Sequence, residues 1–402
     1  MTHAEQQHYQ AIEQDSLYER RPEAIAPAVY TVRIAALQQA LVAEQLDACL
    51  LACGGNLRYF TGLDWRATER FVGCLVTPQA VIAVCPAFER DSHIASQAIE
   101  TEYALWQEEA SVIELVLTLL EKQGSRTLAL DPNVSADVVL RLQSTAQAPH
   151  ISDASTLLAG FRQCKSAQEL ALIQHAMDIT LRVHQLAYQF IQPGVLASEV
   201  KRFIDNAHRQ LGADNGSTFC AVQFGQATAY PHGVPGDQRL EDNQLVLVDT
   251  GCTVHGYHSD ITRTYSVGQV SQQIRDTWQI EKQAQAAAFA AARIGAPCGS
   301  VDDAARAVAT RCGLGPDYTL PGMPHRTGHG IGLEIHEGPY LVRGDNTLLA
   351  AGMCFSNEPM IVYPDQFGVR LEDHFYMTDD GPRWFTQPQW QLDKPFAPLT
   401  QD

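Results

Sequence analysis

Leu245-Val246-Leu247-Val248 is the kind of apolar run that fills a buried strand, and it ends in a carboxylate, Asp249. Burying a polar group without a partner costs on the order of 2–7 kcal/mol, and a charge costs more. A chain with Asp249 in that place therefore needs a partner or a cation for it. The chain turns around Thr253–Gly256 and resumes as a second strand-like run, Tyr257–Tyr265. If residues 253–256 form the loop, Cys252 pairs with Tyr257 and Asp249 falls opposite Asp260, with Cβ atoms about 4.5–5.5 Å apart. Bare, two such carboxylates repel. With a cation between them they chelate.

Three further clusters lie downstream. His325, His329 and His336 fall within one glycine-bearing stretch, His325-Arg-Thr-Gly-His-Gly-Ile-Gly-Leu-Glu-Ile-His336, which suggests a site approached closely by backbone. Ser356-Asn357-Glu358-Pro359 follows. Gly368-Val369-Arg370-Leu371-Glu372-Asp373-His374 reads as a strand with Arg370, Glu372 and His374 on one face.

The surrounding chain reads as two domains. Residues 28–158 alternate helical and strand-like signals: Leu37, Leu41 and Leu46 at helical spacing, apolar runs at 48–51, 71–76 and 80–84, a helix over 111–123, and a strand at 127–130. This predicts an α/β accessory domain behind an N-terminal arm, 1–27. Ser166 with Glu169 is a capping box that opens a long helix, so the second domain is placed at 159–402. There, helices at 166–190 and 197–212 lead into strands around 218–224 and 244–265. Helices at 271–294 and 301–313, the second with Ser300 and Asp303 as a weaker cap pair, lead into apolar alternation around 329–336, 353–358 and 368–377. The ααββ order thus occurs twice, an α+β arrangement with a possible duplication.

Composition excludes other classes. The formal charge is −18, with 46 acids against 28 bases, so a broad nucleic-acid surface is not expected. No apolar run reaches the ~18 residues of a membrane helix, and the polar N-terminus is not a secretory signal. The ten cysteines are scattered without a C-x-x-C pair, which predicts small buried hydrophobes in a reducing cytoplasm.

The ordered set Asp249, Asp260, His329, Glu358, Glu372 resembles the five ligands of the pita-bread-fold dinuclear metallopeptidases. That group includes Xaa-Pro dipeptidase (prolidase), aminopeptidase P, methionine aminopeptidase and the non-metal relative creatinase. The segment 249–264 looks like the family's two-Asp hairpin, 325–337 is similar to the prolidase form of the histidine motif, and 224–233 resembles the segment carrying an upstream histidine, His232. The likeness covers about 160–377, and the N-terminal half fits the creatinase/prolidase-like accessory domain loosely. One departure is Met360, where the family usually has Gly after Glu-Pro.

The resemblance implies hydrolysis of the Xaa-Pro amide bond in dipeptides, by a water or hydroxide that bridges two divalent metal ions. Four carboxylates and one imidazole form a hard donor set, neutral with two divalent ions, for which Mn²⁺ is expected, with Co²⁺ and Zn²⁺ as the other choices. By the same resemblance Asp260 and Glu372 bridge, Asp249 holds one ion, and His329 and Glu358 hold the other. Glu358 takes the proton from water, and His232 and His336 stabilise the oxyanion. Thr262, on the face of Asp260, is expected to support a ligand. Arg370 is expected either to pair with a ligand carboxylate or to bind a substrate carboxylate, and His325 to face the substrate or support a ligand. From the N-terminal domain, Trp65, with Arg58, Arg66 and Arg70, is a substrate-binding candidate. The implied assembly is a homodimer. The alternatives are aminopeptidase P acting on longer X-Pro peptides and a creatinase-like or other non-peptidase member; the lyase relatives carry an extra acid near the first Asp, where this chain has Gly251.

Overall fold

The structure is a computed structural model describing residues 15–397. Most of the expected arm, residues 1–14, lies outside the described residues. The described chain divides into two compact units: 23–162, and 163–397 together with 15–22.

The N-terminal unit is a mixed six-stranded sheet in the order β4-β3-β2-β1-β5-β6. Its strands are β1 (Ala48–Ala52), β2 (Gly73–Val76), β3 (Val81–Pro86), β4 (Glu102–Trp106), β5 (Thr127–Leu130) and β6 (His150–Asp153). The helix α1 (Pro27–Ala43) buries Leu37 and Leu41, and α4 (Val112–Lys122) follows the shorter α2 (Gly55–Thr61) and α3 (Arg90–Ser96). Ser111 caps α4 by accepting from the Glu114 N–H. Two further helices, α5 (Ala136–Gln143) and α6 (Ser155–Arg162), complete the unit.

The C-terminal unit opens with α7 (Ala167–Phe190), and its capping box forms as the sequence indicates. Ser166 Oγ accepts from the Glu169 N–H, and the Ser166 N–H donates to Glu169 Oε2 at 2.9 Å. Next come α8 (Ala197–Gln210), β7 (Ser217–Phe224), β8 (Gln244–Val254), the short β9 (Tyr257–His258) and β10 (Ile261–Val267). The second half repeats the order: α9 (Gln272–Ala291), α10 (Cys298–Arg311), then β11 (Gly328–Gly330), β12 (Glu337–Leu341), β13 (Cys354–Asn357), β14 (Met360–Tyr363), β15 (Phe367–Arg370), β16 (Asp373–Thr378) and β17 (Gly381–Trp384). The sheets run β10-β8-β7, β12-β11-β13-β16-β17 and β14-β15. Ala288, Val301 and Ala305 of α9 and α10 pack on Phe355, Ile361 and Phe375 beneath the second half.

Four expectations need correction. First, the β8–β9 turn has two residues, not four: Val254 pairs with Tyr257 and Thr253 with His258. His255 and Gly256 both take positive φ (49° and 80°), which suits a tight hairpin. The Asp214 carboxylate, distant in sequence, accepts both turn N–H groups at 3.0 and 2.8 Å. Asp249 therefore faces Thr262, not Asp260. A shift of two residues preserves the strand face, so Asp260 stays on the same side. Second, Ser300 does not cap α10. The helix starts at Cys298 behind Pro297, and Ser300 Oγ donates back to the Pro297 carbonyl at 2.6 Å. Third, the strand expected over 368–377 is broken at Leu371-Glu372, where the chain leaves β14 and joins β13. The alternation expected over 329–336 yields strand only at β11. Fourth, all ten cysteines are free thiols, but Cys164 and Cys312 are exposed.

His184 and His208 are buried and hydrogen-bonded, His184 Nε2 to the Ile261 carbonyl at 2.9 Å and His208 Nδ1 to Ser217 Oγ at 2.9 Å. Burial pulls both imidazoles down to about 3 from 6.5, with nearby Arg263 adding to the effect at His184. Between those values the unfolded chain binds more protons than the folded one. The stability is therefore intact above about pH 6.5 and is lost as pH falls. Each group costs about 2 kcal/mol by pH 5. Urea melts of wild type and His208→Gln are expected to diverge in pH dependence by that amount between pH 7 and pH 5, and parallel curves would refute it.

Candidate metal centre and active site

A cavity of about 930 Å³ in the C-terminal unit is lined by Asp249, Asp260, His329, Glu358 and Glu372 together with His232, His325, His336 and Arg370. Asp249 comes from the middle of β8, and Asp260 from the gap between β9 and β10. His329 is the centre of β11, Glu358 follows β13, and Glu372 occupies the crossover between β15 and β16. Residues far apart in the chain are thus gathered where the two halves of the unit meet. Isolated pairing of Thr262 with Glu372 ties the halves together at that point.

His329 is oriented by its neighbours. Its Nδ1 donates to the Gly330 carbonyl at 3.0 Å, leaving Nε2 to face the carboxylates, 3.1 Å from Glu358 Oε1 and 3.8 Å from Asp260 Oδ2. Ser356 Oγ accepts from the His329 N–H at 2.9 Å and donates to Glu358 Oε1 at 3.1 Å. The Glu358 N–H donates to the Thr327 carbonyl at 2.8 Å. Thr262 Oγ1 donates to Glu372 Oε2 at 2.6 Å, and Arg370 Nε donates to Thr262 Oγ1 at 3.1 Å while its Nη2 pairs with Asp249. Arg370 is thus bound to the Asp249 carboxylate.

The electrostatics are those of negative charge forced together. Burial and the neighbouring carboxylates raise Asp260 and Glu372 well above the usual carboxyl range. Burial also raises Asp249, against the pull of Arg370. Glu358 goes the other way: burial pushes it up, but the hydrogen bond and charge of His329 outweigh this and hold it ionised, well below the usual range. Partial desolvation by the surrounding cavity wall, and His329, bring the outward-facing His336 down to about 4, so it is a neutral imidazole. The His329 and His336 rings lie 4.0 Å apart.

Divalent metal suits this donor set. Asp249 Oδ1, Asp260 Oδ1 and Glu372 Oε1 are buried without a hydrogen-bond partner among the described residues. Three orphaned carboxylate oxygens beside the His329 imidazole form the kind of donor set that divalent ions take. Gly251 is obligatory here: a Cβ at that position meets the Ser259 carbonyl oxygen at 1.9 Å, which leaves no room for an additional acidic side chain.

The remaining expected residues fall as follows. His232 and His336 are exposed on the cavity wall. His325 donates from Nδ1 to the Arg326 carbonyl at 2.7 Å, and its Nε2 is buried without a partner among the described residues. Met360 is fully buried against Ala229 and Val362, with no positive φ that would demand glycine. In the N-terminal unit, Trp65 rests 5.6 Å from the His93 ring, Arg58 pairs with Asp64, and Arg70 pairs with Glu69 and Glu108.

Several supporting residues were missed by sequence reasoning. Arg263 pairs with Asp373 at 2.6 Å, both fully buried, and donates to the Glu372 carbonyl at 2.8 Å. Gln285 on α9 donates to the Asn357 and Leu371 carbonyls, which brace the chain around Glu358 and Glu372. Arg326 stacks on Tyr340 at 4.1 Å and lines the cavity, with no ion pair among the described residues. Its only sequence signal was its place inside the histidine cluster.

A family model, Metallopeptidase family M24, matches residues 171–379, and the Creatinase/Prolidase N-terminal domain model matches 33–164. The chain belongs to metallopeptidase family M24. An uncharacterized peptidase of Staphylococcus epidermidis is 28% identical over 88% of this chain and 99% of its own length. Among solved structures, the dipeptidase PepE from Mycobacterium ulcerans superposes with a TM-score of 0.84 at 30% identity, covering 93% of this chain and 100% of that one. A prolidase from Thermococcus sibiricus gives 0.84 at 26% identity, covering 90% and 98%. The M24 unit therefore has the duplicated pita-bread fold, and the N-terminal unit is the creatinase/prolidase-like domain. Among the described residues no helix is long and apolar enough to cross a membrane.

Proposed function

We propose that this M24 peptidase is an Xaa-Pro dipeptidase that works with two divalent ions, Mn²⁺ by preference with Co²⁺ or Zn²⁺ as substitutes. The observation that carries the reading is the convergence of Asp249, Asp260, His329, Glu358 and Glu372 on one cavity with three orphaned carboxylate oxygens. The similarity to a dipeptidase and a prolidase supports the substrate class. When bound, the ion pair lowers the pKa of a shared water and polarises the scissile carbonyl.

The chain's own residues supply the rest. Asp249, Asp260, His329, Glu358 and Glu372 hold the ions, with Thr262 fixing Glu372 and Arg370 fixing Asp249. Glu358, ionised in the resting site, accepts the proton from the attacking water and returns it to the proline nitrogen as the bond breaks. Like any amide nitrogen it must gain a proton to leave as an amine, and because it carries no N–H of its own it leaves as a secondary amine. His336, a neutral imidazole, and His232 donate to the developing oxyanion from the cavity wall. His325 and Arg326 lie on the substrate side, and Arg326 supplies the cation that a dipeptide's free carboxylate requires. Trp65 remains the N-terminal unit's candidate for a substrate contact. The protein is proposed to act in the cytoplasm as a homodimer on small peptides.

A Mn²⁺-supplemented assay of Ala-Pro against Ala-Pro-Ala is expected to show clear preference for the dipeptide. Faster cleavage of the tripeptide would reassign the chain to aminopeptidase P activity. Cleavage of neither would move it to the non-peptidase relatives.

A further inference from the structure

His374 is used by nothing described so far. It is fully buried on β16, two residues beyond Glu372, and neither ring nitrogen has a hydrogen-bond partner among the described residues. A neutral imidazole offers one donor and one acceptor, and leaving such atoms dry and unpaired costs about 1–3 kcal/mol each. That ring does not lie in an apolar core. One ligand atom each from Asp260, His329, Glu372 and His374 fall within 4.8 Å of one another, and the His329 and His374 rings are 5.8 Å apart. Donors that share one divalent ion stand about 3.3–4.4 Å apart, depending on the coordination geometry, so the four ligand atoms share a cation by drawing modestly together. The Asp260 backbone carbonyl faces the ring without reaching hydrogen-bond geometry. It is placed to hold the N–H of one nitrogen while the other turns to the ion.

We propose that His374 is a further metal ligand, giving one of the two ion positions a second imidazole beside His329. The inference rests on the metal-dependent reading above and deepens it. The consequence is asymmetry. The position near Asp249 is an all-oxygen site suited to Mn²⁺, whereas the position served by His329 and His374 gains nitrogen and shifts toward Co²⁺ or Zn²⁺.

X-ray absorption of the Co²⁺- or Zn²⁺-loaded protein counts the imidazoles directly. Wild type filled with two ions is expected to show about one imidazole per ion, instead of about one for every two ions if His329 acts alone. His374→Gln is expected to halve that count, to weaken the tighter Zn²⁺ binding step in calorimetry by at least about tenfold, and to narrow the preference for Zn²⁺ over Mn²⁺. Should the variant fail to fold, the wild-type count still decides. Two ions bound with one imidazole between them, or a count unchanged by the substitution, overturns the role of His374 and leaves the peptidase reading standing. Failure to take up any divalent ion overturns both.

Discussion

Glu358→Gln is expected to lower kcat by about 10²–10⁴-fold while leaving KM within a few-fold of wild type. Gln keeps the length of the side chain and its bond from Ser356 Oγ, so the cavity keeps its shape. What it loses is the proton acceptor and a negative charge next to His329. The two losses separate by measurement. If Glu358 were only a ligand, excess metal would restore the rate as the site refilled. As the proton acceptor it is not replaceable, so the variant stays slow even when metal analysis shows two ions bound. A kcat within tenfold of wild type at full metal content would remove Glu358 from the chemistry.

Stripping the ions with a chelator is expected to abolish hydrolysis, and returning Mn²⁺, Co²⁺ or Zn²⁺ to restore it. The same cycle has a signature independent of turnover. Asp249, Asp260 and Glu372 have raised carboxyl pKa values when no cation is supplied, through burial and mutual repulsion. They therefore hold protons at higher pH than ordinary carboxyls, and an incoming cation displaces those protons. The sign follows: ion binding releases protons, and affinity falls as pH falls toward the region where the carboxyls are protonated. Calorimetric titration in two buffers of different ionisation enthalpy is expected to record this release near pH 6. Ions at a thousandfold over Kd add about 4 kcal/mol to the folded state, raising Tm by several degrees. Titrations that show neither proton release nor stabilisation would mean that these carboxylates do not bind the ions.

Much of the architecture was legible because it is local. The Ser166–Glu169 capping box depends on residues three apart and formed as read. The long helices and the buried β8 run follow from periodicity and composition over a short window. Errors arose where a distant group decided a local question. The four-residue hairpin loop was a reasonable local guess, but Asp214 grips a two-residue turn and moves the register by two. Ser300 had a cap's chemistry, but Pro297 takes the N-cap position and the helix starts at Cys298. The strand through Arg370, Glu372 and His374 is split between two sheets, a matter of which neighbour each half finds.

The five proposed donors were legible in the sequence through their likeness to the family's ordered motifs, and Asp249 also through the desolvation cost of a carboxylate that ends an apolar strand. Which atoms meet was decided only in three dimensions. Thr262 and Glu372 lie 110 residues apart and join at 2.6 Å. Arg370 pairs with Asp249 across 121 residues of sequence. His374 ends among the ligands with both nitrogens unpartnered among the described residues. No window of sequence contains those contacts. They exist because packing the two halves of the pita-bread unit brings separate strands to one point, where each buried polar atom must find whatever partner the assembled fold supplies.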